Sequence, residues 1–188
     1  MRKCIFLLFI FIIIVLLFGL IKQYYPKIEN NVIFIKEYFS NMSELDSNFI
    51  YPTEYTEISS NFGYRILYGT SNYHDGIDFL APQGSKVYAS NSGYVSYASF
   101  LNGYGNTIII SHDNNIQTLY GHLSEEFIVK SGQYVVKGQL IGYVGPKTLS
   151  NGISNGNTTG PHLHFTVIQD GNRINPNTIL KNSVLSIF

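Results

Sequence analysis

The sequence predicts an all-β domain preceded by one apolar segment. From residue 50 onward, short runs rich in Val, Ile, Tyr and Thr recur at even spacing, with Gly, Asn and Pro between them. No long helical pattern interrupts them, and such runs are typical of a compact antiparallel β-sandwich or open barrel. The clearest strand candidates are residues 87–89, 93–97, 107–110, 117–120, 139–144 and 162–168.

Residues 1–22 predict an N-terminal transmembrane helix. Eighteen consecutive residues without a charge, mostly Ile, Leu and Phe, run from Cys4 to Ile21, which is the short end of what spans a bilayer. A cleaved secretory signal is the rival interpretation, but its apolar region is usually shorter, and the residues around Gly19 form a poor cleavage site. Arg2 and Lys3 favour a cytoplasmic N-terminus. We therefore expect a single-pass protein of the cell membrane with an extracytoplasmic domain.

The rest of the chain divides into a linker, a domain and a tail. Residues 23–49 are interpreted as a stalk, because apolar residues recur there in a roughly helical period. A short helix packed on the domain is the preferred interpretation of that period, and pairing with a helix of a partner protein is the alternative. Pro52 marks the entry to the globular part, so we place the domain at residues 50–182 and the tail at 183–188.

Charge and cysteine usage exclude several classes of protein. Twelve basic residues balance twelve acidic ones, and charged residues make up only 13% of the chain, so we expect no nucleic-acid partner. Cys4 is the single cysteine, which excludes an intrachain disulfide and a structural zinc site built from several cysteines.

The first histidine motif is a His-x-His pair in a strand candidate. His162 and His164 stand one residue apart, so both imidazoles emerge on one face of the strand while Leu163 turns into the core. One ring can bind a metal while the other stands beside a metal-bound water. The motif alone is a weak signal, because two half-buried strand histidines with backbone partners have the same spacing.

The second motif joins His74 to Asp78. Gly76 permits a turn into a strand, which would bring both ends of the motif toward one point. Two histidines and one aspartate make a reasonable ligand set for a catalytic zinc ion, with a fourth position left to water. Asp75 is an alternative ligand, but in an extended segment its side chain points the other way, so Asp78 is preferred. A turn-capping carboxylate is the structural alternative for Asp78.

Two further histidines follow strand candidates. His122 comes directly after the run 116–121 and would serve proton transfer beside the zinc centre that the other motifs indicate. His112 lies at a strand end before a turn, and we interpret it as structural or as a partner of a ligand.

Together these motifs resemble peptidase family M23, the zinc metallopeptidases of lysostaphin and LytM type that cut peptidoglycan. The resemblance covers roughly residues 60–176 and includes the segments 60–65, 103–106, 136–142 and 174–176. It implies a groove across an antiparallel β-fold. It also implies one zinc ion per chain, with these ligands: His74, Asp78 and His164.

The same resemblance implies that His122 and His162 form the catalytic pair near the metal-bound water, with no assignment of which one is the base. In some members, a tyrosine in the loop before the first zinc histidine stabilises the transition state. Tyr68 is the candidate for that role and Tyr73 the alternative, whereas Arg65 is interpreted as structural. Residues 145–160 form a longer loop than is usual in the family, and we expect this loop to wall one side of the groove.

The expected function is a membrane-anchored zinc endopeptidase that hydrolyses peptide bonds in the bridges or stems of bacterial peptidoglycan. The alternative is a catalytically idle or partner-activated scaffold of the same fold, which regulates other wall hydrolases or envelope assembly. Such scaffolds often lack zinc or catalytic residues, and all five positions are intact here, which favours the enzyme.

Overall fold

The computed structural model describes residues 13–17, 21, 33 and 48–180. The chain divides into two units, residues 1–45 and residues 46–188. In the first unit, residues 13–17, 21 and 33 are helical. Within the described residues, no helix combines the length and apolar character needed to cross a membrane. The predicted anchor, stalk and tail lie wholly or mostly outside the described residues and stay predictions.

The described part of the second unit is built from strands, and all pairings between these strands are antiparallel, which confirms the predicted all-β fold class. The strands are β1 (Ile58–Ser60), β2 (Gly63–Leu67), β3 (Thr70–His74), β4 (Ile77–Phe79), β5 (Lys86–Tyr88), β6 (Gly93–Leu101), β7 (Gly105–Ser111), β8 (Ile116–Gly121), β9 (Tyr134–Val135), β10 (Leu140–Tyr143), β11 (Leu163–Gln169) and β12 (Asn172–Ile174). A 3-10 turn, Pro176–Thr178, follows β12.

One eight-stranded sheet dominates the unit. Its strand order is β1-β4-β11-β8-β7-β6-β9, with β12 paired to β11. Strands β5 and β10 form one two-stranded sheet, and β2 and β3 form another. Strand β11 pairs with β8 along one edge, and with β4 and then β12 along the other. The beginning of β11 therefore lies between β4 and β8.

Alternation along β11 separates the core from the opposite face of the sheet. Leu163 and Phe165 are 0% exposed and belong to the hydrophobic core, together with Ile77 and Phe79 of β4. His164 lies between the two core residues, so its side chain projects to the other face. The core position predicted for Leu163 is confirmed.

Candidate zinc centre and active site

Three strands bring His74, Asp78 and His164 together. His74 ends β3, Asp78 is the middle residue of β4, and its direct cross-strand partner is His164 of β11. His74 Nε2 lies 3.1 Å from Asp78 Oδ1 and 3.1 Å from His164 Nδ1. Asp78 Oδ1 and His164 Nδ1 are 2.8 Å apart, and all three residues are buried. The structure thus places the three predicted ligands in one group.

The donor atoms of this group fit a zinc ion. The carbonyl oxygen of Asn61 can only accept a hydrogen bond, so the His74 Nδ1 atom, 2.9 Å away, carries the ring proton and Nε2 presents a lone pair. That lone pair faces another acceptor, Asp78 Oδ1, and a cation between them satisfies both. Tetrahedral ligands about 2.0 Å from a zinc ion lie roughly 3.3 Å from one another, close to the separations seen here.

The electrostatics of the group also favour a cation. Burial opposes ionisation of Asp78, but the adjacent imidazole rings of His162, His164 and His74 outweigh it and hold the pKa of its carboxyl well below the ordinary value. Burial lowers the pKa of His164, yet the carboxylates of Asp75 and Asp78 raise it above the ordinary value on balance. One buried and one partly buried carboxylate around imidazole rings form an environment that attracts positive charge.

Arg65 contacts Asp78 Oδ2, the carboxylate oxygen of the aspartate ligand that does not face the two histidine ligands. Its Nη1 atom donates to the hydroxyl of Ser60 and lies 3.5 Å from Asp78 Oδ2. The interpretation of Arg65 as structural agrees with these contacts, although the residue also lines the cavity described below.

His122 and His162 stand beside the ligands with their rings in contact. Their ring centroids are 4.7 Å apart, and the His122 ring is 5.9 Å from that of His164. His122 Nδ1 is 2.7 Å from the carbonyl oxygen of Asn155, and His162 Nδ1 is 2.9 Å from that of Gly160. Carbonyls only accept, so Nδ1 is protonated in each neutral ring and Nε2 is left to accept a proton. Burial, reinforced by the two other histidines, lowers the pKa of His122 to about 4.

The carbonyl that fixes His122 belongs to a buried asparagine that the sequence did not single out. The side chain of Asn155 is 0% exposed and connects three backbone segments. It accepts from the amide of Asn106 at 2.9 Å and donates to the carbonyls of Leu123 and Pro146 at 3.0 and 3.1 Å. Nothing in the sequence distinguishes Asn155 from the exposed asparagines of the same loop.

A cavity of about 1290 Å³ contains all five predicted metal-binding and catalytic residues. The β2–β3 hairpin forms one wall through Tyr64, Ile66 and Tyr73. The edge of the Tyr73 ring packs against Phe62 and Tyr64, with ring centroids 5.6 and 5.1 Å apart. The cavity is therefore an open groove that is lined by the polar metal-binding and catalytic side chains and by an aromatic wall.

Tyr68 does not lie with the other predicted site residues, and a catalytic role for it stays a prediction that its position does not support. It occupies the two-residue turn of the β2–β3 hairpin with Gly69, and both residues have positive φ, 52° and 77°. Such a turn matches the strand twist and directs the side chain outward, so Tyr68 is 85% exposed and does not line the cavity. The alternative, Tyr73, does line it.

Residues 145–160 were predicted to wall one side of the groove, and only the second half of this loop does so. Asn157 and Thr159 line the cavity. Residues 146–154 do not: they turn back on themselves through a bridge between Thr148 and Ser154, and Ser150 bonds to the carboxylate of Glu125. The inserted residues thus pack beside the segment after His122 and do not form a wall of the groove.

Three buried zinc ligands beside two histidines with free ring nitrogens define the site of a zinc-dependent hydrolase. Comparison with known families agrees, since the description "Peptidase family M23" matches residues 72–176, more than half of the chain. The chain belongs to this family of zinc metallopeptidases. The expected zinc cofactor is thereby confirmed, and the site in the structure supplies its ligands.

Individual relatives support the same assignment. The DD-carboxypeptidase/endopeptidase Mpg of Neisseria meningitidis is 43% identical over 129 residues, 68% of this chain and 28% of the relative. The peptidoglycan DD-endopeptidase ShyC of Vibrio cholerae is 36% identical over 131 residues, with the same coverage of 68% and 28%. A crystal structure of a zinc-containing peptidase from Vibrio cholerae is 33% identical with a TM-score of 0.59, covering 70% of this chain and 40% of that one. The chain spans less than a third of the length of the two relatives named first.

Proposed function

We propose that the protein is a membrane-anchored peptidoglycan endopeptidase that hydrolyses the peptide crosslinks between D-amino acids. The observation that carries the proposal is that the three ligands and the two further histidines line the same cavity. The choice of bond is supported by the two relatives, which are named for DD-endopeptidase activity.

The residues of the chain divide the chemistry between them. When bound, zinc supplies Lewis acidity, which polarises a carbonyl and makes water a nucleophile near neutral pH. The Nε2 atom of His122 or of His162 accepts the proton of the attacking water and later delivers a proton to the departing amine. The other ring, in its protonated form, donates a hydrogen bond from Nε2 to the negative charge that develops on the carbonyl oxygen. Backbone carbonyls hold the Nδ1 proton of both rings, which leaves Nε2 as the atom that accepts or donates the reacting proton.

The aromatic wall and the open shape of the cavity suit an extended peptide. Tyr64 and Ile66 are 84% and 73% exposed on the hairpin that borders the zinc ligands. These side chains would contact the residues on either side of the scissile bond, while the polar side chains of Asn157 and Thr159 face the peptide from the opposite loop.

The anchoring part of the proposal rests on the uncharged residues 4–21. A single-pass anchor would confine the catalytic domain next to the cell wall and raise its effective concentration there, which can replace a separate wall-binding module. The stalk would set the distance between the membrane and the groove, and it also offers a surface for a protein partner.

The test uses the full-length chain, purified in mild detergent because of its apolar segment and loaded with zinc. It is incubated with peptidoglycan whose stems are joined directly through D-amino acids and, separately, with glycine-bridged peptidoglycan. Released fragments are identified by mass spectrometry and compared with those of a His162→Ala variant.

We expect the wild type to convert cross-linked fragments of the directly joined peptidoglycan to monomers. The His162→Ala variant should give no such products. Cleavage confined to the glycine bridges would contradict the proposed bond but keep the endopeptidase. No fragments from either substrate, with zinc bound, would favour the scaffold. Detection of the protein in the membrane fraction, and its release when residues 1–22 are deleted, would test the anchor.

A further inference from the structure

One zinc ligand, His164, has an unusual set of partners on the side away from the metal. Its Nδ1 atom belongs to the ligand group, and its Nε2 atom lies 2.9 Å from the hydroxyl of Thr166 and 3.5 Å from Asp75 Oδ1. His164 is 5% exposed, so these protein groups, and not solvent, decide the state of the outer nitrogen.

Of these two groups, only the carboxylate can select a tautomer. A hydroxyl both donates and accepts hydrogen bonds, so Thr166 is satisfied whether or not Nε2 carries a proton. An ionised carboxylate only accepts, and it attracts the N–H dipole even at 3.5 Å in a buried setting. Asp78 Oδ1 lies 2.8 Å from Nδ1, so a cation between these two atoms is needed for Nδ1 to be without a proton. With that cation present, Asp75 favours the proton on Nε2 and Nδ1 binds the metal.

Asp75 is itself held by two residues from distant parts of the chain. The hydroxyl of Tyr104, from the turn before β7, donates to Asp75 Oδ2, and Arg173 Nε of β12 pairs with the same oxygen. Arg173 Nη2 also donates to the Tyr104 hydroxyl at 3.2 Å, which closes the triangle. The Tyr104 ring lies 5.4 Å from the His164 ring and covers it. Oδ2 is thus engaged by two donors, and Oδ1 is left to face His164.

The backbone around Asp75 is shaped for this contact. A Cβ atom at Gly76 would lie 2.4 Å from the carbonyl oxygen of Phe165 and 2.7 Å from Thr166 Oγ1. Only glycine lets this segment approach β11 closely enough for Asp75 to reach the His164 ring. Asp75 lies outside the group of predicted ligands, and the segment carries its carboxylate to the outer side of the His164 ring.

From this geometry we propose that Asp75 is a positioning residue of the zinc centre, whose carboxylate, oriented by Tyr104 and Arg173, holds His164 in the tautomer that binds zinc through Nδ1. Carboxylates on the outer nitrogen of metal-binding histidines raise ligand basicity and fix ring orientation, and their loss typically weakens metal binding 10- to 100-fold. The inference depends on the zinc centre and not on which bond the enzyme cuts.

The experiment measures zinc affinity, which is independent of hydrolysis. The zinc dissociation constant of the full-length protein in detergent is determined by competition with a fluorescent chelator for the wild type and for Asp75→Asn. Asp170→Asn is the matched control, because this carboxylate lies on the exposed β11–β12 turn and contacts Asn115. The ring nitrogen of His164 that carries the proton, opposite the metal-bound nitrogen, is identified in the zinc-loaded protein by ¹⁵N NMR.

We expect Asp75→Asn to raise the zinc dissociation constant about tenfold and to mix the His164 tautomers, with Asp170→Asn unchanged. Thr166→Val should keep the Nε2 proton, since the carboxylate remains. Wild-type affinity in Asp75→Asn, or loss of the tautomer in Thr166→Val alone, would overturn the proposal. If Asp75→Asn does not fold, Tyr104→Phe decides: it removes one donor to Asp75, and unchanged zinc affinity and tautomer would count against the role.

Discussion

Asp78 and His164 face each other directly across the β4–β11 pair, with Asp78 Oδ1 2.8 Å from His164 Nδ1. The register of two antiparallel strands therefore sets the geometry of the metal site. A slip of β11 by one residue would send the His164 side chain to the core face and bring Leu163 and Phe165 out of it. The zinc centre is thus secured by the same core packing that stabilises the sheet.

Removing the aspartate ligand should abolish zinc binding. Asp78→Ala leaves two imidazoles, and we expect the purified variant to lack stoichiometric zinc by elemental mass spectrometry, whereas Asp113→Ala on the β7–β8 turn keeps it. Zinc binds the folded state, so zinc at 100 times its dissociation constant should stabilise the wild type by about 2.7 kcal/mol. Chelation should accordingly lower the melting temperature of the wild type and leave that of Asp78→Ala unchanged. Full zinc occupancy in the variant would contradict the ligand assignment.

The catalytic contribution of the two histidines outside the ligand set should be separable from metal binding. We expect His122→Ala and His162→Ala each to reduce kcat/KM by about 10²- to 10⁴-fold, the usual contribution of a proton-transfer group, while retaining zinc. The control is Tyr68→Phe, which should keep activity within about twofold of the wild type, since Tyr68 is 85% exposed at the hairpin turn. A large loss in Tyr68→Phe would restore the catalytic role that the structure does not support.

Asn155 should matter more for stability than any other asparagine of its loop. Asn155→Ala leaves the amide of Asn106 and two backbone carbonyls without their partners in a buried setting. Each unsatisfied group costs about 1–3 kcal/mol, so we expect a loss of at least about 3 kcal/mol in the free energy of unfolding, measured with urea. Asn157→Ala, two residues away and exposed, should change it by less than about 0.5 kcal/mol. Equal effects of the two substitutions would refute this account of Asn155.

The features that could be predicted from sequence were those that depend only on residues close together along the chain. The His-x-His spacing in a strand run placed His162 and His164 near one site, because alternation depends only on neighbouring residues. The strand candidates correspond to β5, β6, β7, β8, β10 and β11, all rich in β-branched or aromatic residues. Strands β1 to β3 were missed, since Ser, Asn and Gly in that region carry little strand signal and pairing decides their structure. The short strands β9 and β12 were missed as well.

The contacts that depend on tertiary structure could not be predicted. Asp75, Tyr104 and Arg173 are separated by 29 and 69 positions along the chain and meet only because β12 folds back on β11. Gly76 lies in the bend that leads into β4, as expected, but its φ is not positive, and it is the close approach to β11 that requires glycine there. For Tyr68, sequence spacing before His74 gave no information on which way the hairpin turn directs its side chain.

His112 should make the stability of the domain depend on pH. Its partly buried ring packs against Phe49, with centroids 5.0 Å apart, and its Nδ1 atom is 2.8 Å from the carbonyl oxygen of Ser92. Its Nε2 atom is 2.7 Å from the hydroxyl of Thr118, which can donate to a neutral ring. Burial lowers the pKa of His112 below its ordinary value of 6.5, although the Ser92 carbonyl and Asp113 act in the opposite direction.

Because the folded-state pKa is lower, the unfolded chain binds more protons between the two values, and stability increases with pH in that window. The contribution of His112 is fully present above about pH 6.5 and is lost as the pH falls toward the folded-state pKa. We expect His112→Gln to be less stable than the wild type at pH 8, with a difference that shrinks between pH 7 and pH 5. Urea unfolding of both proteins at each pH measures that difference, and all other titrating groups, including the zinc ligands, cancel in it. A difference that stays constant or grows as the pH falls would mean that His112 is not held neutral in the folded protein.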